Sequence, residues 1–583
     1  MNSSRFTAIL FTLALVLGLL SALDVVAPEI GNSSTLTTAE AARSGSWTCP
    51  AAGLAEDAEL TISAVVPPAA ALEEEGEGDA PAFVPGSLER RFAGAGVPSQ
   101  VTYNRFGQGS AARVGRAGPF AEQAVNTTIG HPQFPPVRDE FAVAARWRRQ
   151  PAALGRSYER SSAFGPGGLL AAPCVSGSSS MWVLPGLSTA GGAEATIVLS
   201  NPFASDASVT VTLATELGPE QPSLLENVVV PAQSVRLLAL NEHAPERRDV
   251  GVVIRSRSGR VVVEALQSVN AAIGGIEGVT IVPAAPAGAS TWTIPWVGIT
   301  PSPDQLLNAD AIDGATGQGQ PEADASDAAE SPEAQARVIA ADDLPGIPSS
   351  WVWVTNVGED DAVLLVTVHG PDGGVLAEIG ADAVLAPGAI RRISLDGLAA
   401  GAATRAAVTV ATENDVPIVA SVATQVAAND EERTGLTVQL GASAPDDVWV
   451  LPGESPAGRF HLIAVVNPSG DDAVVAISLW TSAGIARPEA VQEVLVPPGT
   501  FRLIDISDVL DPELGSSVVF VQAVTGRVVA GRVGYGLQGR LDIVANIGIP
   551  SSVWSGGTLV PTTRFDPSLT GEVSPSEEPR SAP

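Results

Sequence analysis

Few residue types in this 583-residue chain could do chemistry, and their spacing argues against a catalytic centre. The four histidines, His131, His243, His369 and His461, do not cluster. None shares a short spacing with Cys, Asp or Glu that would suit a metal ion or a triad. They read as surface or turn residues. No Gly-x-Ser-x-Gly elbow, Walker loop or dinucleotide fingerprint occurs. The expectation is a protein that is not an enzyme, with no cofactor and no metal.

The only two cysteines, Cys49 and Cys174, both stand next to proline. An even count in an oxidising space favours one disulfide, which would close a loop of 125 residues and clip an irregular region to the base of the first repeat. Two independent buried thiols are the alternative. Two lone cysteines make no tetrahedral metal set.

Other polar and aromatic positions recur in register three times. Asn201, Asn356 and Asn467 are followed by Pro231, Pro387 and Pro497 at spacings of 30, 31 and 30. Five residues past each proline stands Arg236, Arg392 or Arg502. Each copy opens on Trp-x-x-Pro, at Trp182, Trp292 and Trp449, and Trp292, Trp449 and Trp554 close the copies. An Arg near the start of an apolar strand lays its stem on apolar surface and pairs structurally, or it contacts a ligand. The tryptophans plug junctions between units, or they form a stacking platform for carbohydrate. Trp182, Trp292, Trp449, Arg236, Arg392 and Arg502 are thus the candidate ligand contacts. The acids five residues after each Asn, Asp206, Asp361 and Asp472, fit hairpin tips better than a calcium loop.

The elements that must position these residues are strands. Between the landmarks lie short β-branched runs of period two, such as SVTVTLAT and SVVFVQAV, each ended by Asn, Pro, Gly, Ser or Asp. Seven or so per copy predict an all-β chain of three tandem immunoglobulin-like β-sandwich repeats. No amphipathic helix interrupts them, which excludes βαβ folds. At this repeat size each copy is expected to bury its own interior, unlike a solenoid unit. The repeats are placed at 182–291, 292–448 and 449–553, after an irregular region at 29–181 and before a disordered tail at 554–583. The middle copy carries an acidic insertion at about 301–349 whose composition cannot fold.

The formal net charge is −32 and every basic residue is Arg, so nucleic acid is not an expected partner. The uncharged run Phe6–Leu23 follows Arg5 and predicts a signal peptide or membrane anchor over 1–28. Cleavage and retention both stay open. Either way the remainder faces outside.

The Trp-x-x-Pro openings, Asn201-Pro202 and Asn467-Pro468, the Pro-x-x-x-x-Arg elements and the Gly-Arg-Val-Val runs at 259–262 and 526–529 resemble the repeats of actinobacterial "large secreted proteins", which carry a domain of unknown function. The middle copy departs from that pattern, with Asn356-Val357 for Asn-Pro and Val416-Pro417 where the others have Gly-Arg. The resemblance implies an exported, envelope-associated protein with no established catalysis. The expectation is a non-catalytic structural or adhesive scaffold whose partners are an envelope protein or polysaccharide, with membrane contact through the N-terminal helix. The alternative is a glycan-binding module serving cell-wall or polysaccharide assembly.

Overall fold

The computed structural model describes residues 44–554 apart from 54–58, 66–98, 109, 121–123, 131–140, 149–152, 161–167, 271–276, 301–336, 339–346, 371–374, 381–382, 399–403, 428–433, 452–458, 482–483, 508–517 and 537–542. The segment 6–23, most of the acidic insertion and the tail from 555 lie outside the described residues. Among the described residues no helix is long and apolar enough to cross a membrane. The structure that follows belongs to the unit Ser44–Pro583.

Four sandwiches follow one another. The first comprises β1 (Ser44–Ala51), β2 (Glu59–Val65), β3 (Ser99–Gly107), β4 (Ser110–Phe120), β5 (Ala124–Gly130), β6 (Phe141–Arg148), β7 (Ala153–Arg160), β8 (Gly168–Pro173) and β9 (Val175–Ser176). Its sheets run β4-β3-β6-β1-β9 and β5-β2-β7-β8. The second comprises β10 (Met181–Leu187), β11 (Ala193–Asn201), β12 (Ala207–Thr215), β13 (Gly218–Glu220), β14 (Val228–Val230), β15 (Ser234–Ala239), β16 (Val250–Ser258), β17 (Val262–Val269) and β18 (Gly278–Pro283). Here the orders are β10-β16-β12-β13 and β15-β11-β17-β18, with β14 also on β12.

The third comprises β19 (Thr291–Ile299), β21 (Ile347–Asn356), β22 (Ala362–His369), β23 (Val375–Ile379), β24 (Val384–Leu385), β25 (Ile390–Ser394), β26 (Thr404–Thr412), β27 (Ile418–Ala427) and β28 (Thr434–Leu440), while β20 (Arg337–Val338), which falls between β19 and β21 in the chain, joins a sheet of the fourth. The fourth comprises β29 (Val448–Leu451), β30 (Arg459–Val466), β31 (Ala473–Thr481), β32 (Gly484–Ala486), β33 (Val494–Val496), β34 (Phe501–Asp505), β35 (Val518–Thr525), β36 (Val529–Gly536), β37 (Ile543–Ile547) and β38 (Ile549–Pro550). Their sheets are β19-β26-β22-β23 with β25-β21-β27-β28, and β32-β31-β35-β29-β38 with β20-β34-β30-β36-β37. All pairings are antiparallel, and the same two strand orders recur four times.

The first sandwich corrects the sequence reading, which expected 29–181 to be irregular. It lacks the Asn landmark, but Trp47-x-x-Pro50 on β1 stands where Trp182-x-x-Pro185 stands on β10, and β1, β2, β3, β6 and β7 are placed as in the other three. Small residues fill much of its core, Ala51, Ala64, Ala145 and Ala153 among them, so its strands lack the branched runs that mark the later copies. Cys49 and Cys174 are disulfide-bonded, as expected. The bond sits where the chain leaving β8 crosses back to β1, at the pair Thr48↔Val175. The same crossing recurs as Val183↔Ala285, Thr293↔Ala442 and Val450↔Ile549, held there by backbone pairing alone. The disulfide therefore clips the two sheets of one sandwich together rather than an irregular region to a repeat.

The interiors are not separate, which corrects a second expectation. Trp351, Trp353 and Ala423 of the third sandwich join the core of the second, and Trp296 and Ala407 of the third join the core of the fourth. Val448, Val450 and Phe520 of the fourth share a core with Leu60 and Ile62 of the first, which also takes in Val198 and Leu266 of the second. Each sheet is thus covered on one face by its partner sheet and on the other by a neighbouring sandwich, and the eight sheets close into a ring. Strands buried on both faces need near-continuous apolar runs rather than strict alternation. β17 is buried at seven of eight positions, with Glu264, Gln267 and Ser268 among them.

The insertion also departs from expectation in part. Arg337–Val338 forms β20 and adds to the outer edge of β34.

Candidate functional site

The three landmark asparagines are structural staples. Asn201, Asn356 and Asn467 are fully buried. Their Nδ2 groups donate to the carbonyl four residues on, at Ser205, Asp360 and Asp471, and to the carbonyl 29 residues on, at Val230, Leu385 and Val496. Their Oδ1 atoms accept from Phe203, Gly358 and Ser469 amides. The conserved distance within the chain is thus Asn to carbonyl, and the proline spacing of 31 in the middle copy absorbs Ala386 between Leu385 and Pro387. Asn467→Ala strands two buried carbonyls and an amide. We expect a loss of about 1–3 kcal/mol, read as a lower urea midpoint.

The tryptophans face inward. Trp182, Trp292 and Trp449 are 2%, 4% and 1% exposed. Each Nε1–H donates to a carbonyl in its own sandwich, at Val261, Ile418 and Val528, over 2.8, 2.7 and 2.7 Å. These rings offer no stacking face to a ligand. The turns that present Val261 and Val528 hold Gly259 and Gly526 at positive φ, where a Cβ would meet backbone at 2.9 to 3.0 Å. That close approach explains the Gly-Arg-Val-Val runs. In the third sandwich the left-handed residue is Asp415, at φ 56°, which stands three places before the accepting Ile418 rather than two. The side chain of Trp554 lies outside the described residues.

The repeated arginines diverge in role. Arg236 is exposed and donates to Val229 O over 2.6 Å, and Arg502 donates to Phe501 O over 3.1 Å. Arg392 pairs opposite Trp353, one register place beyond Arg236 and Arg502, and reaches a neighbouring sandwich, lying 4.0 Å over the Trp351 ring and 4.0 Å from Asp249 of β16's leading turn. Burial pulls its pKa below the usual guanidinium value, with Asp249 opposing. Asp249 also accepts the Trp353 Nε1–H over 2.6 Å. Sequence reasoning missed this cluster, although Trp351 and Trp353 stand at i and i+2 and so lie on one face of β21. Gly186 makes room for them, since a Cβ there would sit 2.2 Å from the Trp353 ring.

Two further polar contacts lock the ring. Arg156 of β7 donates to Pro173 O over 3.1 Å and to the Glu264 carboxylate of β17, with both side chains buried. Burial raises the Glu264 pKa and outweighs the lowering by Arg156. His369, expected at the surface, is buried instead and donates through Nδ1 to Gly499 O of the fourth sandwich over 3.0 Å. Burial lowers its pKa, against the bond to Gly499. His461 is buried as well.

On the axis, β8, β18, β28 and β37 line a cavity of about 10 Å³, room for at most one water. Val438 N donates to Thr280 Oγ1 over 3.2 Å and Ala545 N to Thr437 Oγ1 over 3.0 Å, tying these strands to one another. No group of three or more His, Cys, Asp or Glu positioned for a metal occurs among the described residues.

A family profile matches residues 148–438 and 422–533. The chain belongs to the family of unknown function DUF5719. Its first match opens where β6 ends and closes on β28, and its second runs from β27 to β36, so the family's signature spans the last three strands of the first sandwich, the second and third sandwiches, and the fourth as far as β36. A comparison with curated proteins gives no match.

Proposed function

We propose that the protein is an exported, envelope-associated scaffold without catalytic activity, in the manner of the large secreted proteins its repeats resemble. In this reading the repeats are immunoglobulin-like modules, the segment 6–23 carries the chain out of the cytoplasm, and the rim of the ring meets an envelope protein or polysaccharide. The single observation that carries it is the Cys49–Cys174 disulfide built into a ring of face-packed sheets. Such bonds persist in oxidising compartments, and a rigid body with both sheet faces covered is suited to displaying its edges. Buried Trp182, Trp292 and Trp449 take away the stacking platform that favoured glycan binding.

Cell fractionation with thiol alkylation tests it. The protein should appear in the envelope or medium, with neither cysteine alkylated until reductant is added. Recovery in the cytoplasm with both thiols reactive would overturn the reading.

A further inference from the structure

Closing eight sheets into a ring covers their faces and leaves outer edges bare, and bare edges accept strands. One such edge is filled from within the chain. β20 pairs with β34, Arg337 opposite Asp505 and Val338 opposite Ile504. Opposite charges and two aliphatics are the cross-strand combinations that stabilise pairing. The corresponding strand of the second sandwich, β15, is the outermost strand of its sheet and pairs only with β11 among the described residues. Its Arg236, Leu237 and Ala239 are exposed.

The register sets which backbone groups are available. In the fourth sandwich Asn467 N donates to Thr500 O, and Asn201 holds the same place opposite Ser234. Bonded residues alternate along an antiparallel pair, so Ser234, Arg236 and Leu238 bond inward to β11. The amide and carbonyl of Leu237 then point to the open side.

We propose that the outer edge of β15 is a strand-addition site for an extended partner segment that sets an acidic residue opposite Arg236 and an aliphatic residue opposite Leu237. The site follows the pairing rule of β20 on β34 with the charges exchanged. It goes beyond the scaffold reading and does not depend on the compartment.

The test titrates the full chain against two labelled, end-blocked heptapeptides, one alternating Asp with Val and the other Arg with Val. Wild type should prefer the Asp peptide even though the net charge of −32 favours the Arg peptide non-specifically. Leu237→Pro removes the outward amide and should weaken binding at least tenfold. Arg236→Glu, a change at an exposed side chain, should invert the preference and so tests the site even if the proline variant fails to fold. No binding by wild type, equal affinity for both peptides, or a preference unchanged in Arg236→Glu would overturn the proposal.

Discussion

Arg156→Met is expected to destabilise the protein by about 3–5 kcal/mol, because it leaves the Glu264 carboxylate buried without its cation. Both side chains lie inside, where water cannot take over from the lost partner. The pH dependence carries the sharper signature. Glu264 already has a raised pKa in the folded protein, so folding binds its proton more readily than the unfolded chain does. Stability from this group is fully present below the ordinary carboxylate value and is lost as pH rises through the raised one. Removing Arg156 takes away the group that opposes the rise, so the deficit of Arg156→Met should be largest near neutrality and shrink as the pH falls toward the carboxylate range. Thermal melts of both proteins across pH 4 to 8 would check it, with Glu264→Gln as the background in which the pH-dependent part disappears.

The paired change Cys49→Ser and Cys174→Ser is expected to cost about 5 kcal/mol if chain entropy dominates, since the bond closes 125 residues. The loss should not stay within the first sandwich. Its β1 sheet rests on the second sandwich and its β2 sheet on the fourth, through one continuous core. Loosening the clip between these two sheets loosens both contacts. Hydrogen exchange should therefore quicken in β11 and β17 and in β29 and β35 as well as in β1, while β21 and β22, two sandwiches away, change least.

Strand content in the last three sandwiches was legible because β-branched runs and turn residues are local signals. The asparagine spacing was legible as a pattern, but its cause was not, since a side chain bonding a carbonyl 29 residues away leaves only a distance in the sequence. The first sandwich was hidden because alanines and an Arg-bearing strand such as β7 look like loop until two neighbouring sheets supply the burial. Arg156 on that strand is wholly enclosed by its partners. The pairing of Asp249 with Trp353 joins residues 104 apart in different sandwiches, and no local periodicity encodes it.

The meeting of the first and fourth sandwiches has a consequence for how the molecule comes into being. Leu60 and Ile62 wait for Val448 and Phe520, which are synthesised 388 residues after Leu60 and 458 after Ile62. Until the last module arrives, the newborn chain keeps an oily face at its leading end, and a prematurely stopped product keeps it permanently. Fragments cut at module borders are thus sticky by construction, and the smallest well-behaved piece of this protein is nearly all of it.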